Sequence, residues 1–456
     1  MAVNSEVVIC GAGIAGISVA YHLTMDHGIN DVILVDELPP MTLTSDKSTE
    51  CYRNWWPGPG TAMVALMNRS IDLLEELAMK TGNVFHLNRR GYLYLTGSAE
   101  KAEEIEKDAP AISALGAGPL RVHRGRPEDP LYIPSEAEGF NQEVSGADLF
   151  LDSRQLLTFF PYLSESVMAG LHVRRAGWFS AQQLGRYLMD CARSRGVRFI
   201  RSRINAVSQK SNSSLVAHLS NGDSISAKHF VNAAGPYLKQ VGEMLGIDIP
   251  VYCELHQKVG IRDNLGIVPR DAPLLIWSDP QKLDWNAEER QLLVEDPDSQ
   301  WLLEEFPAGV HTRPEGPPDS PVILLLWEYH TNSVEPTFPP PLDPLYPEIA
   351  LRGLSKMIPG LKDYFHRLPK PVLDGGYYTK TRENRPLIGP LPKKGTWVIG
   401  ALSGYGLMAS MAAGELLARH LAGVGLPAYA CDFMLERYQD PEYQEMLTHW
   451  GDSGQL

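Results

Sequence analysis

A glycine-rich turn between a strand and a helix constrains the fold of this chain more than any other feature. The motif Gly-Ala-Gly-Ile-Ala-Gly occupies residues 11–16, directly after an apolar strand at 7–10. A helix is predicted over 14–25 and a second apolar strand over 32–35. This order predicts a βαβ unit, which is the opening of a Rossmann-like lobe.

Each glycine of the turn has a physical role. Gly11 permits the tight turn, Gly13 lets the backbone approach a pyrophosphate, and Gly16 allows the helix to pack closely on the strand. The helix N-terminus then offers N–H groups and a positive dipole to phosphates. Asp36 stands twenty residues after Gly16, at the end of the second strand, and can accept hydrogen bonds from ribose hydroxyls. We therefore predict dinucleotide binding; the alternative is a packing turn with a solvated Asp36.

A second glycine-rich turn near the C-terminal end indicates which dinucleotide is bound. A strand at 396–400 leads into Ser403-Gly404-Tyr405-Gly406, and a helix is predicted over 407–421. Such a helix start can direct N–H groups at the C2 carbonyl of a flavin, which becomes anionic on reduction. A nicotinamide has no such requirement, so the turn favours FAD over NAD alone. An ordinary strand-to-helix turn is the alternative.

Composition excludes several classes of function. The 456 residues are 44% hydrophobic and 21% charged, and the net charge is −14, which argues against nucleic-acid binding. No apolar run approaches the ~20 residues of a transmembrane helix, and no secretory signal pattern is visible, so we expect a cytoplasmic protein. The five cysteines form no Cys-x-x-Cys pair and therefore indicate neither a disulfide framework nor a metal site.

The predicted fold is α/β, with a discontinuous Rossmann-like lobe for FAD and a mixed-sheet α+β lobe for the substrate. We assign the FAD lobe to 1–84, 151–240 and 372–456, and the substrate lobe to 85–150 and 241–371. An acidic stretch at 279–319 is interpreted as a solvated insertion, with a lid or an interface element as alternatives.

The C-terminal segment resembles a known family of flavoenzymes. Residues 376–390, with Gly400 and 403–406, are similar to the signature of the D-amino-acid oxidase superfamily, which includes glycine oxidase, monomeric sarcosine oxidase and dimethylglycine dehydrogenase. Residues 231–236 and 45–53 also resemble segments along the FAD of that family. The resemblance implies two lobes that enclose the flavin and a hydride transfer from the substrate to flavin N5.

The turns and the resemblance together predict the residues that contact FAD. In chain order they are Gly11, Gly13, Ile14, Ala15, Gly16, Asp36, Glu37, Thr44, Ser45, Ser48, Thr49, Val207, Ala234, Gly235, Gly376, Gly400, Ser403, Gly404, Tyr405, Gly406, Leu407 and Met408. Gly376 stands where monomeric sarcosine oxidase has its flavin-linked cysteine, and the loop at 45–53 lacks the linking histidine of dimethylglycine dehydrogenase. We therefore expect noncovalent FAD.

The catalytic residues predicted from the resemblance are Arg53, His330 and Tyr378. Tyr378 replaces the arginine that binds the substrate carboxylate in glycine and D-amino-acid oxidases, so Arg53 is the candidate carboxylate clamp. His330 stands where a histidine of sarcosine oxidase faces the substrate. Leu326 replaces the oxygen-activating lysine of that enzyme, and Lys258 is a candidate substitute. Aromatic lining of the pocket is expected from Trp55, Trp56, Tyr252, His256 and Trp327.

The predicted activity is oxidation of a secondary or N-methylated amine or amino acid at its α carbon, giving an imine, with oxygen or an electron carrier as acceptor. Oxidation of a 2-hydroxy acid or polyol is the alternative, and it requires a base for the hydroxyl proton. A flavin-binding subunit without turnover is a third hypothesis. An oligomer is compatible with the sequence.

Overall fold

The computed structural model describes residues 2–140, 142–209 and 214–450, and in these ranges it contains twenty-two strands and eleven α-helices. The strands β1 to β22 are Ala2–Cys10, Val32–Asp36, Cys51–Arg53, Tyr92–Thr96, Leu120–His123, Ala147–Phe150, Ala169–Val173, Ala176–Trp178, Arg198–Arg201, Ile204–Gln209, Leu215–Leu219, Ser224–Asn232, Tyr252–Arg262, Leu274–Trp277, Gln281–Lys282, Glu305–Phe306, His311–Pro314, Val322–Leu326, Ser333–Val334, Val372–Lys380, Leu387–Pro390 and Thr396–Gly400. The helices α1 to α11 are Ile14–Met25, Thr44–Lys47, Ala62–Thr81, Ala99–Ile112, Ser153–Phe159, Ala181–Ser194, Leu238–Met244, Ala287–Glu295, Tyr346–Met357, Gly406–Ala422 and Pro441–Thr448.

The first sheet has a parallel centre. β1 lies between β2 and β12 and runs parallel to both, and β12 also runs parallel to β22. The strand order is β10-β11-β12-β1-β2-β9, with β22 and β21 joined through β12. Because carboxyl ends of parallel strands meet at one edge, the turns that follow β1, β2, β12 and β22 gather there. The predicted cofactor residues of four distant segments are thereby brought together.

Helices α1, α3, α6 and α10 contribute to the apolar core of this lobe. Five apolar side chains at helical spacing on α3 are all buried, as expected for an amphipathic helix: Met63, Leu66, Met67, Leu74 and Leu77. Helices α1 and α10 pack very closely, because a Cβ on Gly414 would lie 2.2 Å from Ser18 Oγ. The same Ser18 hydroxyl donates to the Ser410 carbonyl over 2.8 Å.

The second sheet is mixed and has ten strands, in the order β19-β13-β18-β17-β14-β4-β7-β6-β5, with β20 paired to β13. Its side chains alternate between two environments, as the pleat requires. Leu93 and Leu95 of β4 belong to the core that includes α9, whereas Tyr92 of the same strand belongs to the core of the first lobe. The face that carries Tyr92 therefore turns toward the first lobe.

The two sheets confirm the predicted α/β class, with a Rossmann-like sheet built from separate segments and a second, mixed sheet. Two strands in segments assigned to the FAD lobe pair in the second sheet instead, namely β7 and β20. Local patterning does not reveal which sheet a strand joins, since each is apolar enough for either. The lobe boundaries themselves stay a prediction. Residues 1, 141, 210–213 and 451–456 of the predicted lobes lie outside the described residues.

Helix α4 is absent from the sequence prediction. Its only buried residue is Ala109, and Pro110 lies inside it, so no apolar stripe marks it as a helix.

The acidic stretch at 279–319 is only partly solvated, since α8 has no buried residue but all four residues of β17 are buried. None of the helices in the described ranges is both long and apolar enough to cross a bilayer.

Candidate functional site

The first glycine-rich turn packs against the segment that follows β12. Gly11 has φ +112°, and a Cβ there would lie 2.3 Å from the Ala233 carbonyl oxygen. A Cβ on Gly16 would lie 2.1 Å from the Gly11 carbonyl oxygen. The turn therefore accepts only glycine at these two positions, and it brings Ala234 next to the start of α1. Backbone this compact before a helix N-terminus fits the pyrophosphate of FAD.

The loop that contains α2 caps the same helix. Ile14 N donates to Ser45 Oγ over 3.0 Å, and Thr44 Oγ1 donates to the Tyr377 carbonyl over 3.0 Å. Gly13 lies against Ser45 as well, because a Cβ on Gly13 would be 3.1 Å from that hydroxyl. The structure thus brings the predicted residues Ser45, Thr44 and Gly13 to one point. Ala15 follows in the first turn of α1.

Asp36 holds the turn through its carboxylate. Oδ2 accepts from Ala12 N over 2.8 Å, and Oδ1 accepts from Leu38 N over 3.0 Å. Burial raises the pKa of Asp36 despite these backbone hydrogen bonds. The neighbouring Glu37 is instead paired with Arg203, with both guanidinium contacts at 2.8–2.9 Å. Contact of either carboxylate with ribose remains a prediction.

Val207 has the weakest connection to this site. It is buried in the apolar cluster on the other face of the first sheet, with Val8, Cys10 and Val35. Its side chain therefore serves packing there, and any contact with FAD would have to come from its backbone.

Two cations of the second sheet fix the loop at 45–53. Lys258 Nζ donates to the Ser48 carbonyl over 2.8 Å, and the fully buried Arg313 donates to the Thr49 carbonyl through Nε and Nη2 at 3.1 and 2.7 Å. Lys258 lies directly across from Leu326 in the pairing of β13 with β18, and burial lowers its pKa. The loop is thus tied to the strands that carry the substrate-side residues.

The C-terminal turn follows Gly400 and leads into α10. Ala401 and Ser403 adopt positive φ values of 51° and 47°, and Ser403 N donates to the Thr379 carbonyl over 2.9 Å. Such conformations in non-glycine residues concentrate at functional sites. The first turn of α10 contains Gly406, Leu407 and Met408, whose N–H groups have no partner within the helix.

A cavity lies between this turn and the second sheet. Fourteen residues line it: Thr49, Cys51, Arg53, Tyr92, His256, Gln257, Leu274, His311, Leu326, Glu328, Tyr378, Gly404, Tyr405 and Met408.

Arg53 is buried on the wall of this cavity, with 3% of its surface accessible. Its Nε donates to the Trp55 carbonyl over 3.1 Å, and its guanidinium lies 4.8 Å from the ring centroid of Trp56. A planar cation held by an aromatic face is well suited to bind a carboxylate.

His256 lies between two carboxylates. Its Nε2 is 3.0 Å from Glu254 Oε2, and its Nδ1 is 2.9 Å from Glu328 Oε1, a contact that is an ion pair rather than an aligned hydrogen bond. Lys380 Nζ donates to Glu254 over 3.0 Å. Burial alone would lower the pKa of His256, but Glu328 and Glu254 outweigh it and raise the pKa. Burial alone would raise the pKa of Glu328, but the interaction with His256 outweighs it and lowers the pKa to about 2. The pair is therefore an imidazolium and a carboxylate.

His311 has the opposite electrostatic character. Burial lowers its pKa, and its Nδ1 lies 2.8 Å from the Gly309 carbonyl oxygen. Because a carbonyl only accepts, Nδ1 carries the proton of the neutral ring and Nε2 is the acceptor. His311 therefore provides a neutral acceptor on the cavity wall.

His330, the predicted substrate-facing histidine, does not line the cavity. It is exposed, and its ring lies near Trp301 and Tyr329, with centroids 5.4 and 4.6 Å apart. Strand β18 ends at Leu326, and His330 lies four residues beyond it; the histidines that line the cavity are His256 and His311. Trp327, another expected lining residue, packs instead in the core that includes α9.

The structure thus brings Arg53, Tyr378, Thr49, Gly404, Tyr405 and Met408 to one cavity, as the resemblance implies. Gly376 lies beside the loop at 45–53, since a Cβ there would be 2.9 Å from Lys47 Cβ. Neither Glu328 nor His311 is predicted from the sequence. His311 is the first residue of β17, and Glu328 lies two residues beyond the end of β18. Because both strands are buried along nearly their whole length, no alternation of apolar and polar residues marks either side chain.

Comparisons with known proteins agree with this geometry. A family model described as "DAO: FAD dependent oxidoreductase" matches residues 6–420. Mitochondrial dimethylglycine dehydrogenase of Rattus norvegicus is 25% identical over 258 residues, which are 56% of this chain but only 26% of the length of that relative.

Solved structures share the fold. L-Proline dehydrogenase from P. horikoshii superposes with a TM-score of 0.73 at 18% identity, over 96% of this chain and 99% of that chain. Glycine oxidase from Geobacillus kaustophilus gives a TM-score of 0.71 at 16% identity, over 95% and 99%.

Proposed function

The chain belongs to the DAO family of FAD-dependent oxidoreductases, which confirms the predicted family and cofactor, and we propose that it oxidises a small amine or amino acid at the carbon next to nitrogen. The preferred substrate class is a secondary or N-methylated amino acid. Two relatives in the comparison are named for amino substrates of this kind, dimethylglycine and L-proline, and this supports the proposal.

Bound FAD supplies the hydride acceptor at N5. In the proposed reaction the Cα–H bond of the substrate breaks, and its two electrons leave with the hydrogen as hydride. The lone pair of the nitrogen forms the C=N bond, and water hydrolyses the resulting imine. A substrate that binds as an ammonium ion must first lose its proton to solvent, because only the neutral amine has the lone pair that forms the C=N bond. The neutral amine needs no strong base, so orientation of the substrate carries most of the rate enhancement.

One observation carries the proposal: the buried cation Arg53 lines the same cavity as the Gly404–Tyr405 turn at the start of α10. That turn is the predicted flavin-facing segment, so a carboxylate bound by Arg53 would lie beside the reacting ring. Tyr378, at the position of the arginine of the resembling oxidases, lines the cavity without supplying a charge. The carboxylate clamp is therefore assigned to Arg53.

The test is anaerobic reduction of the purified, FAD-loaded protein by a panel of amines, N-methyl amino acids and 2-hydroxy acids, followed by admission of air. We expect an N-alkylated amino acid to bleach the flavin absorbance. Arg53→Gln should raise the concentration needed for half-maximal reduction by at least about tenfold, because it removes a charge-assisted contact. Bleaching by hydroxy acids alone would contradict the proposal. The return of absorbance in air identifies oxygen as acceptor, and its absence indicates an electron carrier.

Oxidation of a 2-hydroxy acid or polyol is the second candidate, and the neutral acceptor His311 favours it. A hydroxyl must lose its proton as hydride leaves, and a neutral imidazole on the cavity wall can accept that proton. For this chemistry, His311→Asn should abolish the pH dependence of flavin reduction and lower its rate by at least ~100-fold. His330→Ala, a change at an exposed histidine outside the cavity, is the matched control and should alter the rate by less than about twofold.

Noncovalent FAD and a cytoplasmic location remain predictions.

A further inference from the structure

Glu328 places a negative charge on the wall of the cavity. Among the lining residues named above it alone carries a carboxylate, and 27% of its side chain is accessible. Within the described part of the chain its one ion pair is with His256, at Oε1. His256 stabilises the ionised form, so the charge persists across the physiological pH range.

The surroundings of Glu328 are those that bind an organic cation. The phenol rings of Tyr92, Tyr378 and Tyr405 line the same cavity. Aromatic faces attract ammonium groups, and a partly buried carboxylate adds a charge-assisted contact. With Arg53 also on the wall, the cavity offers one partner for a carboxylate and one for a positive nitrogen.

We propose that Glu328 is a specificity-determining residue that binds the positively charged amino nitrogen of the substrate, while His256 acts as the positioning residue that holds its carboxylate. This rests on the proposed function and narrows it, because the site then selects zwitterionic amino acids. A hydroxy acid or a polyol has no group for Glu328 to bind. A plain amine has none for Arg53.

Two probes isolate the charge from all other properties of a ligand. Glycine betaine and 3,3-dimethylbutanoate have the same shape, and they differ in one central atom, a cationic nitrogen or a neutral carbon. Neither has a nitrogen lone pair, so neither can form the C=N bond and be oxidised. Titration calorimetry of the FAD-loaded protein with each probe therefore measures recognition of the cation independently of turnover.

We expect the wild-type protein to bind betaine at least about tenfold more tightly than 3,3-dimethylbutanoate. Glu328→Gln, which keeps the shape of the side chain, should bring the two affinities within about twofold. Glu254→Gln is the matched control. It removes the carboxylate on the other side of His256, and Glu254 itself does not line the cavity. That variant should keep the preference for betaine.

Equal affinities in the wild-type protein, or binding of neither probe, would overturn the proposal, and so would a preference that survives in Glu328→Gln. If that variant does not fold, the wild-type comparison decides alone. The amine panel is read separately: a preference for betaine without bleaching by any amine would reject the oxidation chemistry and leave cation recognition by Glu328 intact. Bleaching by an amino acid without a preference for betaine would support the oxidation chemistry and reject cation recognition by Glu328.

Discussion

The imidazole of His256 stacks on the phenol ring of Tyr378, with ring centroids 3.8 Å apart and planes inclined by 19°. In the pairing of β13 with β20, Tyr378 stands directly opposite Glu254, two residues before His256. The tyrosine ring therefore covers the imidazole from the neighbouring strand. This contact restricts the orientation in which His256 meets Glu328.

Replacement of Tyr378 tests the value of this stacking. Tyr378→Ala should slow flavin reduction by roughly 2- to 10-fold, because an aromatic pair contributes about 0.5–1.5 kcal/mol beyond its buried area. Tyr378→Phe keeps the ring and should stay within about twofold of wild type. Stopped-flow absorbance with the best substrate of the panel gives both rates. Equal losses in the two variants would assign the effect to the hydroxyl instead.

The first glycine turn should tolerate no side chain. Gly11→Ala places a Cβ 2.3 Å from the Ala233 carbonyl oxygen at a φ of +112°, so the turn must open, and we expect at least ~10-fold less FAD per protein after purification. Gly28→Ala is the control, since Gly28 also has a positive φ, but an added Cβ there would have no atom of the described residues within 4 Å other than those of its two chain neighbours. It should lose about 1 kcal/mol of stability and keep its flavin. The ratio of flavin to protein absorbance measures the outcome, and equal ratios in the two variants would contradict this role of Gly11.

The sequence predicts those parts of the molecule that are encoded locally. The turn, α1 with its limits at Ile14 and Met25, and the C-terminal strand and helix are each specified by adjacent residues, and the structure has them in place. The pairing of His256 with Glu328 is different, because it depends on the register of strands far apart in sequence. No local pattern reports that register, so the prediction of a substrate-facing histidine rested on the resemblance, which indicated His330 rather than the two histidines of the cavity.

Asp148 should be essential for the stability of the second sheet. Its buried carboxylate accepts from Arg121 at 2.7 and 2.9 Å, from Arg174 at 2.7 Å and from His123 at 2.9 Å. Asp148→Asn removes the charge that compensates these groups, and we expect a loss of about 3 kcal/mol in the free energy of unfolding. Urea unfolding measures it, and a loss below about 1 kcal/mol would contradict the prediction.

Glu104→Gln is the matched control for Asp148, because it breaks the exposed pair with Lys101 and should cost less than ~0.5 kcal/mol.

The pH dependence of this stabilisation follows from the pKa of Asp148. Burial would raise that pKa, but His123, Arg121 and Arg174 hold it well below its usual range. The stabilisation is therefore complete above the unfolded pKa of about 3.9 and is lost only as the pH falls through the folded value. The gap between wild type and Asp148→Asn should be constant from pH 6 to 8.

His256 should make stability fall with increasing pH. Its folded pKa is raised above the unfolded value of about 6.5, because Glu328 and Glu254 outweigh the effect of burial. Its protonated form therefore contributes stability that is complete below pH ~6.5 and is lost as the pH rises through the folded pKa. The difference in unfolding free energy between wild type and His256→Gln should shrink between pH 6 and 9. A difference independent of pH in urea unfolding would show that the ring is neutral in the folded protein.

The close contact between α1 and α10 has a consequence for biosynthesis. Ser18 and Ser410 are 392 residues apart in the chain, yet a hydrogen bond joins them and Gly414 packs against the same serine. At about 5–20 residues per second, the ribosome needs roughly 20–80 s after it makes the first helix before its partner exists. During that interval the part of α1 that packs against α10 has no cover, whereas β1 already pairs with β2 and β12, and α1 already packs on α6. A chain that terminates before α10 therefore lacks both the hydrogen bond to Ser18 and the packing of Gly414, and the face of α1 that α10 covers stays exposed.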